Sequence, residues 1–374
     1  MALLLTAAIL WLAGGAPAAG GAEELRADAL NPSSACGQCH QEIYEMWGRS
    51  MHSAALSDPI FQTSYMRAYL ETGGRAKEIC LRCHAPVAAL TGDLDLRRPL
   101  SREGIQCDFC HSVVSVDLQR ARSPFRLSLD GVKRGPLGDA DSPAHEVARS
   151  ELHLSAEFCA GCHEYSNEEG LPILSTYSEW RLSPQAAEGK TCQHCHMPLT
   201  PGDTVRADLS VGREAINLHN ISGSHSPDQV RRAATARILR IERQQPTVAL
   251  VEVEVANVGS GHSIPTGMPT RRLVLEVVVF VRGREVRRFE RHFQRALLDA
   301  RGRLISDDHR AILQARSIRE DNRLAPGERR IERFVAAVPG EGALRAEMTL
   351  KYLYEPQLVA REKMSIQIAF DRAP

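Results

Sequence analysis

The sequence has no net charge and, beyond about its first 20 residues, no long apolar run. Its 46 basic and 46 acidic residues cancel, so no overall positive field favours nucleic acid as a partner. No later stretch reaches the roughly 18 uncharged apolar residues that a membrane-spanning helix needs. With 43% hydrophobic and 25% charged residues, the 374-residue chain is still typical of a folded protein, and it is long enough for two domains.

The sequence also lacks any cysteine outside one repeated motif. Its ten cysteines lie in five strings of the form Cys-x-x-Cys-His, of which chance would give about 0.01 in this composition. The cysteines of these strings are Cys36, Cys39, Cys80, Cys83, Cys107, Cys110, Cys159, Cys162, Cys192 and Cys195. The histidines that end them are His40, His84, His111, His163 and His196. No cysteine remains for a structural disulfide.

The spacing of the motif has a chemical reason. Two thiols three positions apart can add to the two vinyl groups of one haem, while the next residue, a histidine, binds the iron. A redox dithiol, a zinc site or a disulfide framework would each explain a single Cys-x-x-Cys pair. None of them predicts a histidine after all five pairs. The sequence therefore predicts five covalent haem c groups, with iron as the metal.

The N-terminal segment has the features of a secretory signal. An apolar core from Leu3 to Ala13 precedes small residues that offer cleavage after Ala18 or Ala22. No Lys or Arg comes before the apolar run, so a misplaced start or an uncleaved membrane anchor stays open as an alternative. Because bacteria attach haem c outside the energy-transducing membrane, the segment and the motifs agree on export to the periplasm.

Between the signal and residue 230, the five motifs begin at unequal intervals along the chain, so they form no fixed-period repeat. Short helical patterns separate them, such as 41–56, where Ile43, Trp47 and Met51 recur at every fourth position. Loops rich in Gly, Pro, Ser and Asp fill the rest. We therefore predict a signal peptide over 1–22 and a mostly helical or irregular pentahaem domain over 23–230.

After residue 230 the sequence changes character. Runs such as TVALVEVEVANV and RRLVLEVVVFVRG are β-rich and are separated by turn signals such as APGE. They predict an antiparallel β-sandwich over 231–374, and hence an α+β multidomain protein. This segment holds 27 basic and 18 acidic residues, a net charge of +9, which leaves −9 for the rest. This difference in charge is consistent with three alternatives: the two parts attract and dock on each other, the positive part binds an acidic partner, or its arginines form a solvated face.

Nine histidines outside the motifs compete for the sixth ligand positions of five irons. Those that we expect to bind iron are His52, His145, His219, His225 and His262. His52 follows His40 closely, on what should be one helix. His219 and His225 share a Gly/Ser-rich loop after the last motif. His262 lies in the turn GHSIPTG, whose glycines allow close backbone approach, although a hydrogen-bonded turn histidine is the alternative there.

The remaining histidines are weaker candidates. His194 lies inside its own motif and cannot reach the far face of that iron, so it is a surface residue or the ligand of a neighbour. His292 and His309 lie in charged segments and are expected to be solvated, while the role of His153 stays open. Methionine is the other axial ligand to consider. Met51 and Met197 adjoin other histidines, which favours two histidines at most irons.

The first four motifs carry a resemblance. The segments ACGQCHQEIYEMWGRSMHSAA, EICLRCHAP, GIQCDFCHSV and SAEFCAGCHE, within 34–165, resemble the four-haem core of the cytochrome c-554/c-prime type of multihaem cytochrome. This resemblance implies that His52 and His145 are distal iron ligands. Its best-known small member passes electrons from hydroxylamine oxidation, and related multihaem proteins reduce nitrite or oxidise hydroxylamine. The later segments EWRLSPQAAEGKTCQHCHMP, HNISGSH and GHSIPTG resemble larger members with a β-rich C-terminal region.

Two functions of different classes stay open. One is an electron carrier between periplasmic or membrane-bound redox partners. The other is an enzyme that reduces or oxidises a small inorganic nitrogen or sulfur compound at one iron without a distal side chain. The histidines outnumber the irons, which favours the carrier because no iron is forced to stay open. A third reading, in which the sandwich docks the haem domain to a partner, would use its net positive charge.

The first testable prediction is the number of covalent haems. We expect the mass of the unfolded chain to include five haem groups, because thioether bonds survive denaturation. Replacing Cys192 and Cys195 together with alanine should remove one haem and leave four. An unchanged haem count when both cysteines are lost would contradict the assignment of this motif.

Overall fold

The computed structural model describes residues 29–120, 123–210, 212, 214–355 and 364–374. The predicted signal peptide therefore lies outside the described residues. Within them, no helix combines the length and the apolar character needed to cross a membrane. Short helices and two-stranded ribbons occupy the chain up to Ala233, and long antiparallel strands follow it. This α+β architecture with a β-rich C-terminal part confirms the predicted fold class.

The described α-helices are short. They are α1 Ser33–Gly37, α2 Gln41–Gly48, α3 Pro59–Glu71, α4 Ala76–His84, α5 Pro86–Leu90, α6 Cys107–Ser112, α7 Glu157–His163, α8 Thr176–Arg181, α9 Pro184–Ala187, α10 Cys192–His196, α11 Pro227–Ala233 and α12 Asp308–Gln314. Several begin where the sequence places a capping residue before proline. Asp58 accepts a hydrogen bond from the amide of Phe61 at 2.9 Å, and Ser226 caps α11 in the same way. Proline at the first helical position costs no hydrogen bond.

Each cysteine motif is built on a helical turn. The second to fifth motifs lie within α4, α6, α7 and α10, and the first starts in α1. Residues three and four apart share one face of a helix. A helical turn therefore directs both thiols and the histidine of a motif towards the same side.

The predicted single helix over 41–56 is wrong. α2 ends at Gly48, and the amides of Arg49 and Ser50 close its last turn on the carbonyls of Met46 and Trp47. The next amide, that of Met51, donates instead to the carbonyl of Ile221 at 3.1 Å. This contact with a segment far along the chain redirects the backbone, so His52 lies outside the helix.

Seventeen strands lie within the described residues. They are β1 Val113–Val116, β2 Phe125–Leu127, β3 Lys133–Gly135, β4 Val147–Arg149, β5 Glu164–Ser166, β6 Pro172–Ser175, β7 Leu199–Pro201, β8 Ala215–Asn217, β9 Ala234–Gln245, β10 Val248–Asn257, β11 Arg271–Val281, β12 Arg284–Phe293, β13 Arg295–Asp299, β14 Ala315–Asp321, β15 Arg329–Ala337, β16 Leu344–Tyr354 and β17 Met364–Ala373. Strands β1 to β8 form four ribbons, and β13 pairs with β14.

The C-terminal part is a sandwich of two antiparallel sheets. One sheet has the order β15-β10-β9 and the other has the order β12-β11-β16-β17. Alternate side chains of the strands face inward, as the period of a strand requires. Val253 from the first sheet and Leu275, Val277 and Met348 from the second are fully buried in one apolar cluster. Burial of these side chains is what holds the two sheets face to face.

Arginines cover the outer face of the three-stranded sheet. Glu252 on β10 accepts from Arg240 of β9 at 2.8 Å and from Arg333 of β15 at 2.7 Å, and each arginine lies directly opposite it in register. Glu254 is bound by two further arginines, Arg237 directly opposite it on β9 and Arg329 two positions along β15 from its partner. Much of the positive charge of this part is therefore neutralised within its own sheet.

The two parts of the chain are packed against each other. Helix α12, between β13 and β14, packs on α3, and Ile173 of β6 shares an apolar cluster with Leu297 of β13. His309 of α12 is 2% exposed and its Nε2 lies 3.1 Å from a carboxylate oxygen of Glu71. Its expected solvation is therefore wrong, because packing of α12 on α3 buries it.

Core packing makes a testable difference between two leucines of the sandwich. Leu275→Ala removes a fully buried side chain and should lower the free energy of unfolding by about 2–5 kcal/mol. Leu239→Ala, at a position 39% exposed, should change it by less than about 0.5 kcal/mol. Thermal unfolding of the holoprotein followed by far-ultraviolet circular dichroism measures both. Equal shifts of the midpoint would contradict the sandwich core described here.

Candidate haem sites

The ten motif cysteines are all free thiols in the structure. They are brought together between motifs. The thiols of Cys36 and Cys107 hydrogen-bond to each other, which raises the pKa of Cys36 and lowers that of Cys107. Equivalent thiol pairs are Cys83 with Cys162 and Cys159 with Cys192. The first motif therefore adjoins the third, and the fourth adjoins both the second and the fifth.

Backbone carbonyls orient most of the motif histidines. The Nδ1–H of His40 donates to the carbonyl of Thr204 at 2.6 Å, that of His84 to Ala55 at 2.8 Å, and that of His111 to Arg134 at 2.6 Å. A bond at Nδ1 fixes the tautomer and leaves Nε2 as the free lone pair for a metal ion. At His196 the direction differs, because the side-chain NH2 of Gln229 donates to Nδ1 at 2.9 Å, so this contact orients the ring without setting the same tautomer.

Four motif histidines lie opposite a histidine from elsewhere in the chain. The ring centroids are 6.2 Å apart for His40 and His145, 6.4 Å for His163 and His52, 5.7 Å for His111 and His153, and 6.4 Å for His196 and His262. An imidazole nitrogen binds a metal ion at about 2 Å, so two rings on opposite sides of one ion have centroids about 6 Å apart. The separations of His40 from His145, His163 from His52 and His196 from His262 fit an iron held between two imidazoles.

Burial keeps these rings in the form that binds metal. Burial and, after it, the charge of a neighbouring histidine lower the pKa of His52, His163 and His196 to about 4. The imidazoles are therefore neutral at physiological pH, as a ligand to iron requires. Free thiols and neutral, oriented imidazoles are the donor set of covalent haem, so the residues present fit the predicted group.

Two histidines approach the third motif. His153 lies beside His111, but its Nε2–H donates to the carbonyl of Cys110 at 3.0 Å, while its buried Nδ1 makes no hydrogen bond in the described structure. His219 has the opposite arrangement, because its Nδ1–H donates to the carbonyl of Asn217 at 2.7 Å and leaves Nε2 free. Burial, and then the charge of His111, lower the pKa of His219 to about 4.

The second motif has a different environment. The ring of His84 stacks on Phe61 with centroids 3.7 Å apart and an angle of 12° between the planes. His225 lies near His84, because the same carboxylate, that of Asp58, acts on both rings. Burial lowers the pKa of each histidine, and the negative charge of Asp58 partly opposes this. The structure thus brings His225 near the second motif without the close ring pairing seen at the other four motifs.

The other histidines have structural roles. Nδ1 of His194 accepts from the amide of Thr191 at 3.0 Å and completes the cap of α10. The side chain of His292 is 39% exposed on the sandwich, as expected from its charged segment. Sequence reasoning left His153 open, and no local pattern distinguishes it from a ligand.

Two buried charged groups were not identified from the sequence. Arg271 lies 5.0 Å above the ring of Tyr354, and its positive charge adds to burial in lowering the pKa of His163 and His225. Its Nε is buried without a hydrogen-bond partner, so the group suits a carboxylate such as that of haem. Glu179 of α8 is 10% exposed and binds Arg295 and Arg323 of the sandwich at 3.3 and 2.7 Å. Neither stands in a motif that could have revealed it.

Residues 35–112 match the cytochrome c554 and c-prime family. The predicted resemblance to a multihaem cytochrome c of this type is therefore confirmed. The match supports haem c with iron as the cofactor, and electron transfer by haem as the function. No curated protein matches the chain.

One solved structure shares the fold over almost the whole chain. A penta-heme cytochrome c552 from Thermochromatium tepidum is 23% identical, with a TM-score of 0.72, and the match covers 92% of this chain and 99% of that one. The CARDB domain of the PF1109 protein from Pyrococcus furiosus is 15% identical and covers 36% of this chain and 87% of its own, but its TM-score of 0.18 is too low to carry an argument.

The pairing of His52 with His163 leads to a testable prediction. His52→Ala should convert one low-spin iron to high-spin, because the ring opposite His163 is lost. Electron paramagnetic resonance of the oxidised holoprotein measures the change, with His292→Ala as the control on the exposed sandwich surface. If His52→Ala keeps its haem content and shows no high-spin signal, like the control, the pairing is contradicted.

Proposed function

We propose that this chain is an exported pentahaem c-type cytochrome that transfers electrons between periplasmic redox partners, with two histidines at most irons. The observation that carries the proposal is the adjacency of the motifs through their thiols. A haem held by two thioethers is fixed at the edge that those thioethers bind. Neighbouring thiols therefore keep neighbouring haem edges close, and electron tunnelling falls steeply with distance.

The order of the motifs in space is the order proposed for electron movement. The first motif adjoins the third through Cys36 and Cys107. Cys110 of the third motif lies close enough for its charge to raise the pKa of both cysteines of the fourth. The fourth adjoins the second and the fifth. The proposed route is thus branched, with its junction at the fourth motif rather than at either end of the chain.

Five histidines are proposed as the sixth ligands. They are His145 for the first motif, His225 for the second, His219 for the third, His52 for the fourth and His262 for the fifth. For the third motif, His219 is preferred to His153 because its Nε2 is free, whereas that of His153 is bonded to the carbonyl of Cys110. When bound, haem supplies reversible one-electron chemistry. The paired imidazoles would hold each iron in one coordination state and exclude water from it. The reorganisation energy of electron transfer would therefore be small.

Export is part of the proposal. Cytochromes c of this kind are typically exported, and residues 1–22 have the composition of a secretory signal. The exposed face of the sandwich would then contact redox partners in the periplasm. So would the surfaces beside the first, second and fifth motifs, which are the ends of the proposed route.

A second function is favoured by one observation at the second motif. His84 stacks on Phe61 instead of lying opposite a histidine ring, and Arg271, whose Nε is buried without a hydrogen-bond partner in the described structure, lies near His225. If His225 does not bind that iron, its neutral imidazole can donate a hydrogen bond beside it, while Arg271 stabilises negative charge. The chain would then be an oxidoreductase for a small nitrogen or sulfur compound.

The spin state of the irons separates the two functions. For the carrier, electron paramagnetic resonance of the oxidised holoprotein should show five low-spin haems per chain, because each iron has two protein ligands. Haem content is measured on the same sample. A high-spin signal of about one haem equivalent would overturn the fully six-coordinate carrier, and nitrite, hydroxylamine and sulfite would then be tested as ligands of that iron.

A further inference from the structure

The loop 260–267, which carries His262, is held from outside the sandwich by one carboxylate. Glu179 accepts hydrogen bonds from the backbone amide of Ser263 at 3.1 Å and from the hydroxyl of Thr266 at 2.9 Å. The two donors lie on either side of the turn that follows His262. A single side chain of α8 therefore fixes both ends of that turn.

The same carboxylate is the centre of a buried ion cluster. Glu179 binds Arg295 and Arg323, and both arginines also bind Asp321, at 2.9 and 2.7 Å. The arginine side chains are 8% and 7% exposed. Arg323 also donates to the carbonyl of Pro265, within the loop, at 3.2 Å. Charge-assisted bonds of this kind, shielded from water, fix geometry more strongly than neutral ones.

Helix α8 also contacts the fifth motif. Trp180, next to Glu179, donates from its indole nitrogen to the carbonyl of Lys190 at 2.8 Å, just before α10, and it packs on the same small apolar cluster as Cys192. A Cβ added at Gly261 would lie 3.3 Å from the Trp180 ring, so glycine lets the loop come this close. One short helix thus contacts both the segment that carries His196 and the loop that carries His262.

Within the loop, the imidazole is directed by its own neighbours. Nδ1 of His262 donates to the carbonyl of Ser263 at 3.0 Å and lies 2.9 Å from the hydroxyl of Ser260. Asn257 donates to the carbonyl of His262 at 2.8 Å. These contacts set the ring relative to the loop, whereas the contacts of Glu179 set the loop relative to the haem part.

We propose that Glu179 is a positioning residue for the sixth ligand of the fifth haem. Its ion cluster clamps the sandwich loop 260–267 onto α8 and so holds His262 opposite His196. This inference rests on the proposed function, in which these two histidines bind one iron. It assigns to an inter-domain ion cluster the control of whether that iron is six-coordinate.

The test compares the spin states of holoprotein variants with equal haem content. Glu179→Gln keeps an acceptor oxygen but removes the charge that binds both arginines. We expect a high-spin signal that rises from background towards about one haem equivalent, and added imidazole should return it to low-spin. Thr266→Val removes the hydrogen bonds of this hydroxyl to Glu179 and Thr176 without touching a charge, and it should give a smaller change in the same direction.

Glu252→Gln is the matched control. Glu252 is also a shielded carboxylate bound by two arginines, but it lies on the outer face of the sandwich, and both of those arginines belong to neighbouring strands. The substitution should destabilise the sandwich without changing any spin state. A high-spin signal in both glutamine variants would mean that loss of sandwich stability is responsible, and the positioning role would be wrong.

His262→Ala separates failure of this inference from failure of the proposed function. If this variant stays fully low-spin, the assignment of His262 as a ligand is wrong. If it becomes high-spin while Glu179→Gln keeps the wild-type spectrum, only the positioning role is overturned. If Glu179→Gln does not take up five haems, the spectrum of Thr266→Val is used instead. A wild-type spectrum for Thr266→Val overturns the proposal.

Discussion

Close pairing of imidazole rings from distant segments is the constraint on which the rest of this structure depends. Each pair joins residues that are far apart in the sequence, such as His52 and His163. In the pairs of His40 with His145, His52 with His163 and His196 with His262, the centroids are only 6.2 to 6.4 Å apart, which leaves no room between the rings for a second layer of side chains. The short helices, ribbons and loops of the first part are arranged to meet this requirement, with several small apolar clusters in place of one large core.

The sandwich takes part in the same constraint. His262 comes from the loop between its strands β10 and β11, and it faces His196 of the fifth motif. A β-sandwich buries its apolar core between two sheets and leaves its connecting loops free to carry function. The ion cluster around Glu179 then supplies the rigidity that a loop lacks by itself. In the proposed function, the C-terminal part therefore contributes a ligand to a haem site, which a docking module alone would not do.

Several features followed from the sequence because they depend on local rules. Alternation in runs such as TVALVEVEVANV predicted the sandwich, since the period of a strand is fixed by its geometry. The chain over 41–56 was predicted as one helix and is not, because the amide of Met51 pairs with Ile221. His309 was expected in solvent and is buried by the packing of α12 on α3. Both errors came from contacts between segments far apart in the chain, which no local pattern records.

The sequence by itself determined the cofactor chemistry, because five motifs that each place two thiols and a histidine on one helical turn require no tertiary information. It also limited the sixth ligands to a short set of histidines. Only the tertiary structure decided which of these rings lie opposite which motif, since that depends on how distant segments pack. It alone placed His225 beside the second motif and Glu179 beneath the loop of His262, because a buried charge is recognised by the groups that surround it and not by its neighbours in sequence.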